Sequence, residues 1–117
     1  MNTNARTEFL EHVGNRIVVA ARMAPTDYGI ESDRIDLQEK VYLKFGLYLP
    51  GVEGQTEYEE FLSKLEFLYY NGYGLQYMDG VIWYEDGSWS DRDEYDGAEW
   101  WVHRSRPRIP DECMKDL

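Results

Sequence analysis

Val81-Ile82-Trp83-Tyr84, Asp86-Gly87, Asp96-Gly97 and Glu99-Trp100-Trp101-Val102-His103 form the stretch on which the fold class turns. Its apolar and aromatic runs are short and β-prone, and Asp-Gly between such runs favours the left-handed turns of antiparallel hairpins. Phe67-Leu68-Tyr69-Tyr70 before Asn71-Gly72 repeats the pattern upstream. The C-terminal half therefore reads as a β-meander. Pro107 and Pro110 interrupt regular pairing, so residues 104–117 read as an extended tail.

The N-terminal half carries helical signals. From about Thr7 to Ala24, Leu10, Val13, Ile17, Ala20, Ala21 and Ala24 fall at three-and-four spacing, with Thr3 or Asn4 available as cap and Pro25 as the stop. Gly14 inside that span marks close packing or a local weakness. Thr56-Glu57-Tyr58-Glu59 matches a capping box, and Tyr58, Phe61, Leu62 and Leu65 then share one face of a helix over about 56–65. Between the helices, Val41, Leu43, Phe45, Leu47 and Leu49 alternate as in a strand ended by Pro50-Gly51. Residues 30–40 remain open: Ile35 and Leu37 extend the alternation backwards, while Ser32 or Asp33 suits the cap of a short helix. The expected fold is α+β, two helices packed on a largely antiparallel sheet, burying Leu10, Val13, Ile17, Phe61, Leu62 and Leu65.

At 117 residues the chain has the size of a single domain. Its 43% hydrophobic and 15% aromatic content opposes disorder. Twelve basic and twenty-three acidic residues leave a net charge of −11, which repels nucleic acid and anionic membranes and attracts basic proteins. Cys113, the single cysteine, excludes an internal disulfide and fits a reducing compartment. The first residues lack the basic-then-apolar order of a signal peptide, and no run approaches a membrane span, so a cytoplasmic location is expected.

Asp79 to Glu99 holds eight acids against one base, Arg92. Two readings stand: a negative patch for a basic partner, or a solvated loop face. Asp91, Asp93 and Asp96 near Gly97 invite a calcium reading, but an EF-hand count from Asp91 puts Asp96 where glycine is needed and Val102 where the bidentate acid belongs. His12 and His103 fit no zinc arrangement, and Cys113 has no C-x-x-C partner. Gly72 and Gly74 among Tyr70, Tyr73 and Tyr77 lack the phosphate-loop pattern. No cofactor, metal site or catalytic residue is expected from these patterns. Arg104, Arg106 and Arg108 alternate along the tail, where they grip an anion or offset the acids nearby. Trp83, Trp89, Trp100 and Trp101 concentrate flat side chains in the same half, and period two turns Trp100 and Trp101 to opposite faces, one inward and one outward.

Trp83-Tyr84-Glu85-Asp86-Gly87-Ser88-Trp89, Glu94-Tyr95-Asp96-Gly97-Ala98-Glu99-Trp100-Trp101 and Pro107-Arg108-Ile109-Pro110 resemble segments of small acidic proteins encoded by phages and prophages. The resemblance runs from the Tyr58-Glu59-Glu60-Phe61-Leu62 helix onward, and no activity is established as common to the group. It implies a setting in which short acidic proteins inhibit host defence, anti-CRISPR and anti-restriction proteins that imitate nucleic acid among them. With the charge, it yields the expectation of a non-enzymatic inhibitor that binds a basic, nucleic-acid-binding surface of a host defence protein. Glu85, Asp86, Asp91, Asp93, Glu94, Asp96, Glu99 and Trp101 are the expected partner-binding residues. A small binding module for a sugar or other polar ligand, with an exposed aromatic platform, is the alternative, and a hydrolase with paired carboxylates comes third.

Overall fold

The computed structural model of the chain describes residues 2–30, 35, 37–72 and 75–114. The order of elements is β1 (Asn2–Asn4), α1 (Ala5–Val13), β2 (Val18–Pro25), α2 (Asp27–Ile30), β3 (Val41–Leu43), α3 (Thr56–Ser63), β4 (Leu68–Tyr70), β5 (Met78–Tyr84), β6 (Trp89–Tyr95), β7 (Ala98–Arg104) and α4 (Asp111–Met114). Five strands pair antiparallel in the order β3-β2-β5-β6-β7, and β1 pairs with β4 in a separate ribbon. This is the expected α+β class with its C-terminal meander.

Two turns build the meander. Asp96 and Gly97 both take positive φ, 52° and 86°, between Tyr95 and Ala98, which pair directly. That is the left-handed two-residue turn that fits strand twist. Gly87, at φ 86°, closes the β5–β6 connection, where the Tyr84 amide donates to the Ser88 carbonyl. Asn71-Gly72 does not close a hairpin, contrary to expectation, because β4 takes β1 rather than β5 as its partner.

The first helix is half the expected length. Asn4 caps it, its side chain accepting from the Thr7 amide, and it ends at Val13, where Gly14 at φ 56° donates to the Leu10 carbonyl. A side chain resists that dihedral, so glycine stops the helix here. The β-branched residues that follow enter β2, and Ala20, Ala21 and Ala24 lie in that strand. Leu10 is consequently 38% exposed and Ile17 half-buried, while Val13 is in the core.

The expected strand over 41–49 survives only as Val41–Leu43. Gly46 bends the chain, Tyr48 packs its ring against that glycine, and Tyr48 exchanges main-chain bonds with Val18. The break inverts the alternation: Tyr48 goes in, and Phe45, Leu47 and Leu49 go out. At α3 the capping box does not form. Gln55 is the N-cap, its side chain instead pairs with both main-chain groups of Leu49, and Glu59 accepts from Gly54. The apolar face holds as expected, with Tyr58, Phe61, Leu62 and Leu65 all buried. Ile35 and Leu37 are also buried, whereas Ser32 and Asp33 lie outside the described residues.

One core cluster joins Ala5, Phe9 and Val13 of α1 and the buried face of α3 to Ala21, Met23, Met78, Ile82, Tyr84 and Trp101 of the sheet. Phe9 is its centre, with rings of Tyr58, Phe61 and Trp101 within 6.5 Å. Both longer helices thus cover one face of the five-stranded sheet. Among the described residues no helix is long and apolar enough to cross a membrane.

Candidate interaction surface

β6 is the strand on which the acidic segment lies, and its alternation sorts that segment. Trp89, Asp91 and Asp93 face away from the helices, while Ser90 and Arg92 face inward and are buried. One alternative for this segment was a loop. Polar residues on the inward face hid the strand.

Arg92 anchors a buried network. Its guanidinium donates to Glu99 at 2.6 Å, Glu8 at 2.9 Å and the Tyr69 hydroxyl at 2.9 Å, and lies over the Trp101 ring. Tyr69 donates to Glu8, and the Tyr77 amide donates to the second Glu99 oxygen. Burial opposes the Arg92 charge, but Glu8, Tyr69 and Glu99 together raise its pKa above the ordinary value. Burial raises the Glu99 pKa, against the pull of Arg92 and of the Tyr77 amide. Glu99 is 2% exposed and Trp101 6%, so neither belongs to a partner-binding surface, and both leave the expected set. Their physical role is internal: Glu99 balances a buried cation, and Trp101 fills the core beneath α1.

The remaining acids are spread along the hairpin. Glu85 and Asp86 sit on the β5–β6 turn and Glu94 and Asp96 at the opposite end, separated by the length of β6, roughly 20 Å. Asp91 and Asp93 lie between them on the outer face. Asp91 is paired with Arg104 at 2.7 Å and Asp79 with Arg22 at 3.8 Å, so these two acids add little net charge. Asp86 accepts from both the amide and the hydroxyl of Ser88, which lower its pKa.

Among the described residues no helix covers the outer face, and it carries the aromatic residues that charge counting misses. Trp83 and Trp89 are cross-strand partners, Trp89 lies opposite Arg104, and Trp100 lies opposite Asp93. Trp83 is 42% and Trp100 40% exposed, with Tyr42 and Tyr95 more open still. Val81 and Val102 fill the row between them, each opposite Asp91. Period two from the inward Trp101 is the signal that places Trp100 outward, as expected.

The two histidines each meet a serine hydroxyl. His12 Nε2 lies 2.7 Å from the Ser90 hydroxyl, which meets the Tyr84 hydroxyl, and His103 Nε2 lies 2.9 Å from the Ser88 hydroxyl. Ser90 has no exposed surface for a substrate to reach. Asp86 holds Ser88, and among the described residues no carboxylate is hydrogen-bonded to His103. Burial, followed by the cations Arg16, His103 and Arg92, lowers the His12 pKa to about 4. Among the described residues no group of three or more His, Cys, Asp or Glu is placed to hold a metal ion. Two clefts, about 670 Å³ beside Tyr70 and Asn71 and about 490 Å³ between α1 and the loop before α3, are lined by none of the tryptophans. The first of these clefts has Tyr70 beside Asp96 and Glu99 in its lining. Comparison of the chain with family models, curated proteins and solved structures finds no match.

Proposed function

We propose that the chain is a non-enzymatic binding protein that docks the open face of its five-stranded sheet, flanked by acidic turns, on a basic surface of another protein. The observation that carries this reading is the uncovered face itself, with Trp83 and Trp100 exposed between the acids of the two turns. Large aromatics supply dry contact area at interface centres, and surrounding charge sets encounter rate and partner choice. Arg22 and Arg104 are already matched by Asp79 and Asp91, so Glu85, Asp93, Glu94 and Asp96 set the sign that a partner meets.

A basic surface that normally receives nucleic acid suits this arrangement, carboxylates taking the place of backbone phosphates. The resemblance of the C-terminal half to phage and prophage proteins supplies the setting: inhibition of a bacterial defence protein, for example a CRISPR effector, in the host cytoplasm. The test is capture of a partner from bacterial lysate on the immobilised chain, followed by elution with salt and competition with nucleic acid. Expected are release by moderate salt, displacement by nucleic acid, and weaker capture by both Trp100→Ala and the triple variant Asp93→Asn, Glu94→Gln, Asp96→Asn. A captured protein indifferent to nucleic acid and to both variants defeats the proposal.

A further inference from the structure

We propose that the groove between α1, α3 and the loop joining β3 to α3 is a docking site for an amphipathic helix of a partner protein, one that carries lysine or arginine beside its apolar row. The groove encloses about 490 Å³, within the range of concave binding sites. Leu10 and Val13 of α1, Tyr58 and Leu62 of α3, and Leu49 and Val52 of the loop line it. Val13, Tyr58 and Leu62 are buried and form its base, whereas Leu10, Leu49 and Val52 are 38%, 43% and 48% exposed. Leu47, also exposed, stands two residues before Leu49 on the stretch whose Tyr48 turns inward, so it continues the apolar row. Apolar side chains gathered round a concavity and left in water mark a place that a partner covers.

Hydrogen bonds hold the loop in place and select the kind of occupant. Gln55 donates to the Leu49 carbonyl at 2.8 Å and the Val52 carbonyl at 3.0 Å and accepts from the Leu49 amide at 2.7 Å, while Glu59 accepts from the Gly54 amide at 3.2 Å. A wall ordered in advance lowers the entropy lost on binding. An extended peptide needs free main-chain groups to pair with, and these bonds already occupy both groups of Leu49, the Val52 carbonyl and the Gly54 amide. A helix satisfies its own main chain and offers side chains only, which is what this groove can receive. Charge fixes the rest. Glu53 and Glu59 line the groove against Arg6, and Arg6 is engaged by Glu66 at 3.4 Å, so the two glutamates set the sign that an entering helix meets. Basic residues bordering its apolar row complement them, and acidic ones are repelled. The groove shares no residue with the open sheet face, so this inference holds whether or not the binding function proposed above does.

The probe is a synthetic peptide of leucine and lysine, about 18 residues long so that its helix persists, with leucine at three-and-four spacing. It is titrated into the isotope-labelled full chain and followed by amide chemical shifts. Expected are saturable shifts at Gly14, Gly51, Val52 and Gly54, and none with a peptide in which glutamate replaces every lysine. Leu10→Ser with Val52→Ser leaves the net charge unchanged and should weaken binding by about tenfold or more. If that variant unfolds, Val52→Ser alone, in the exposed loop, should weaken it by about threefold or more. Glu53→Gln with Glu59→Gln keeps an oxygen for the Gly54 amide and should weaken binding by about threefold to tenfold. Asp93→Asn with Asp96→Asn makes the same change in net charge away from the groove, and should weaken it by less than about twofold. Absence of saturable shifts, shifts confined to the indole N–H groups of Trp83, Trp89 and Trp100, equal binding of the glutamate peptide, or equal responses to the two charge variants overturns the proposal.

Discussion

Arg92 has no exposed side-chain surface, and neither has Glu99 beside it. Removing one member of such a pair leaves the other charge buried without compensation, a large penalty, whereas the intact pair adds little net stability. Arg92→Leu should therefore cost about 3–5 kcal/mol in urea unfolding. Asp93→Asn, an exposed position one residue away, should change stability by less than about 0.5 kcal/mol. A similar loss at both positions would show that the network does not carry the charge as described. His12 belongs to the same scale. Its folded-state pKa of about 4 lies below the ordinary value of 6.5, so across that interval the unfolded chain binds more protons. The contribution is present above pH 6.5 and is lost as pH falls towards 4. The difference in unfolding free energy between the native chain and His12→Gln should change across this window and level off below it. A flat difference would place His12 in water rather than against Ser90.

At the scale of elements, the close approach of β2, β5 and β7 depends on Gly80. A Cβ there would meet Met23 Sδ at 2.7 Å, Trp101 Cη2 at 2.8 Å and the Arg22 carbonyl at 2.9 Å. Backbone cannot move aside as a side chain can, so Gly80→Ala should destabilise the sheet by about 1–3 kcal/mol, read as a lowered thermal midpoint. Asn71 and Gln55 share a different device: each pairs its side-chain amide with both main-chain groups of one residue, Glu99 and Leu49 respectively. Such amides end a ladder without needing another strand. Asn71→Ala should leave the part-buried Glu99 N–H and carbonyl without their partner and cost about 1–3 kcal/mol.

For the molecule as a whole, the helices cover one face of the sheet and leave the other to its aromatics. Trp83→Ala and Trp100→Ala should each change stability by only about 1 kcal/mol, because both side chains are already half in water. Capture of a partner should fall much further, and that separation is the measurement to make. Equal loss of stability and capture would mean that these tryptophans only support the fold. No ligand arrangement for a metal exists among the described residues. A chelator should therefore leave the thermal midpoint unchanged, and a calcium-dependent rise would expose a site in the acidic turns.

By itself the sequence determined the class of fold, the meander, the Asp-Gly turn at each end of β6, a cap at Thr3 or Asn4 and the buried face of α3. These are local matters: turn dihedrals, caps and a short apolar stripe follow from neighbouring residues alone. It did not determine where the first helix ends, because Leu10, Val13, Ile17 and Ala21 keep helical spacing across Gly14. Only the pairing of β2 with β3 and β5 decides for a strand after that glycine. Nor could alternation foresee the inversion at Gly46, which depends on Tyr48 meeting Val18 from a distant part of the chain. The candidate surface divides in the same way. The run of acids is visible in the sequence, but Glu99 is withdrawn from it by Arg92 on the neighbouring strand, itself held by Glu8 from far away along the chain, and Trp101 by the equally distant Phe9. Which acids keep their charge for a partner is a question of desolvation and pairing, and tertiary structure alone brings those partners together.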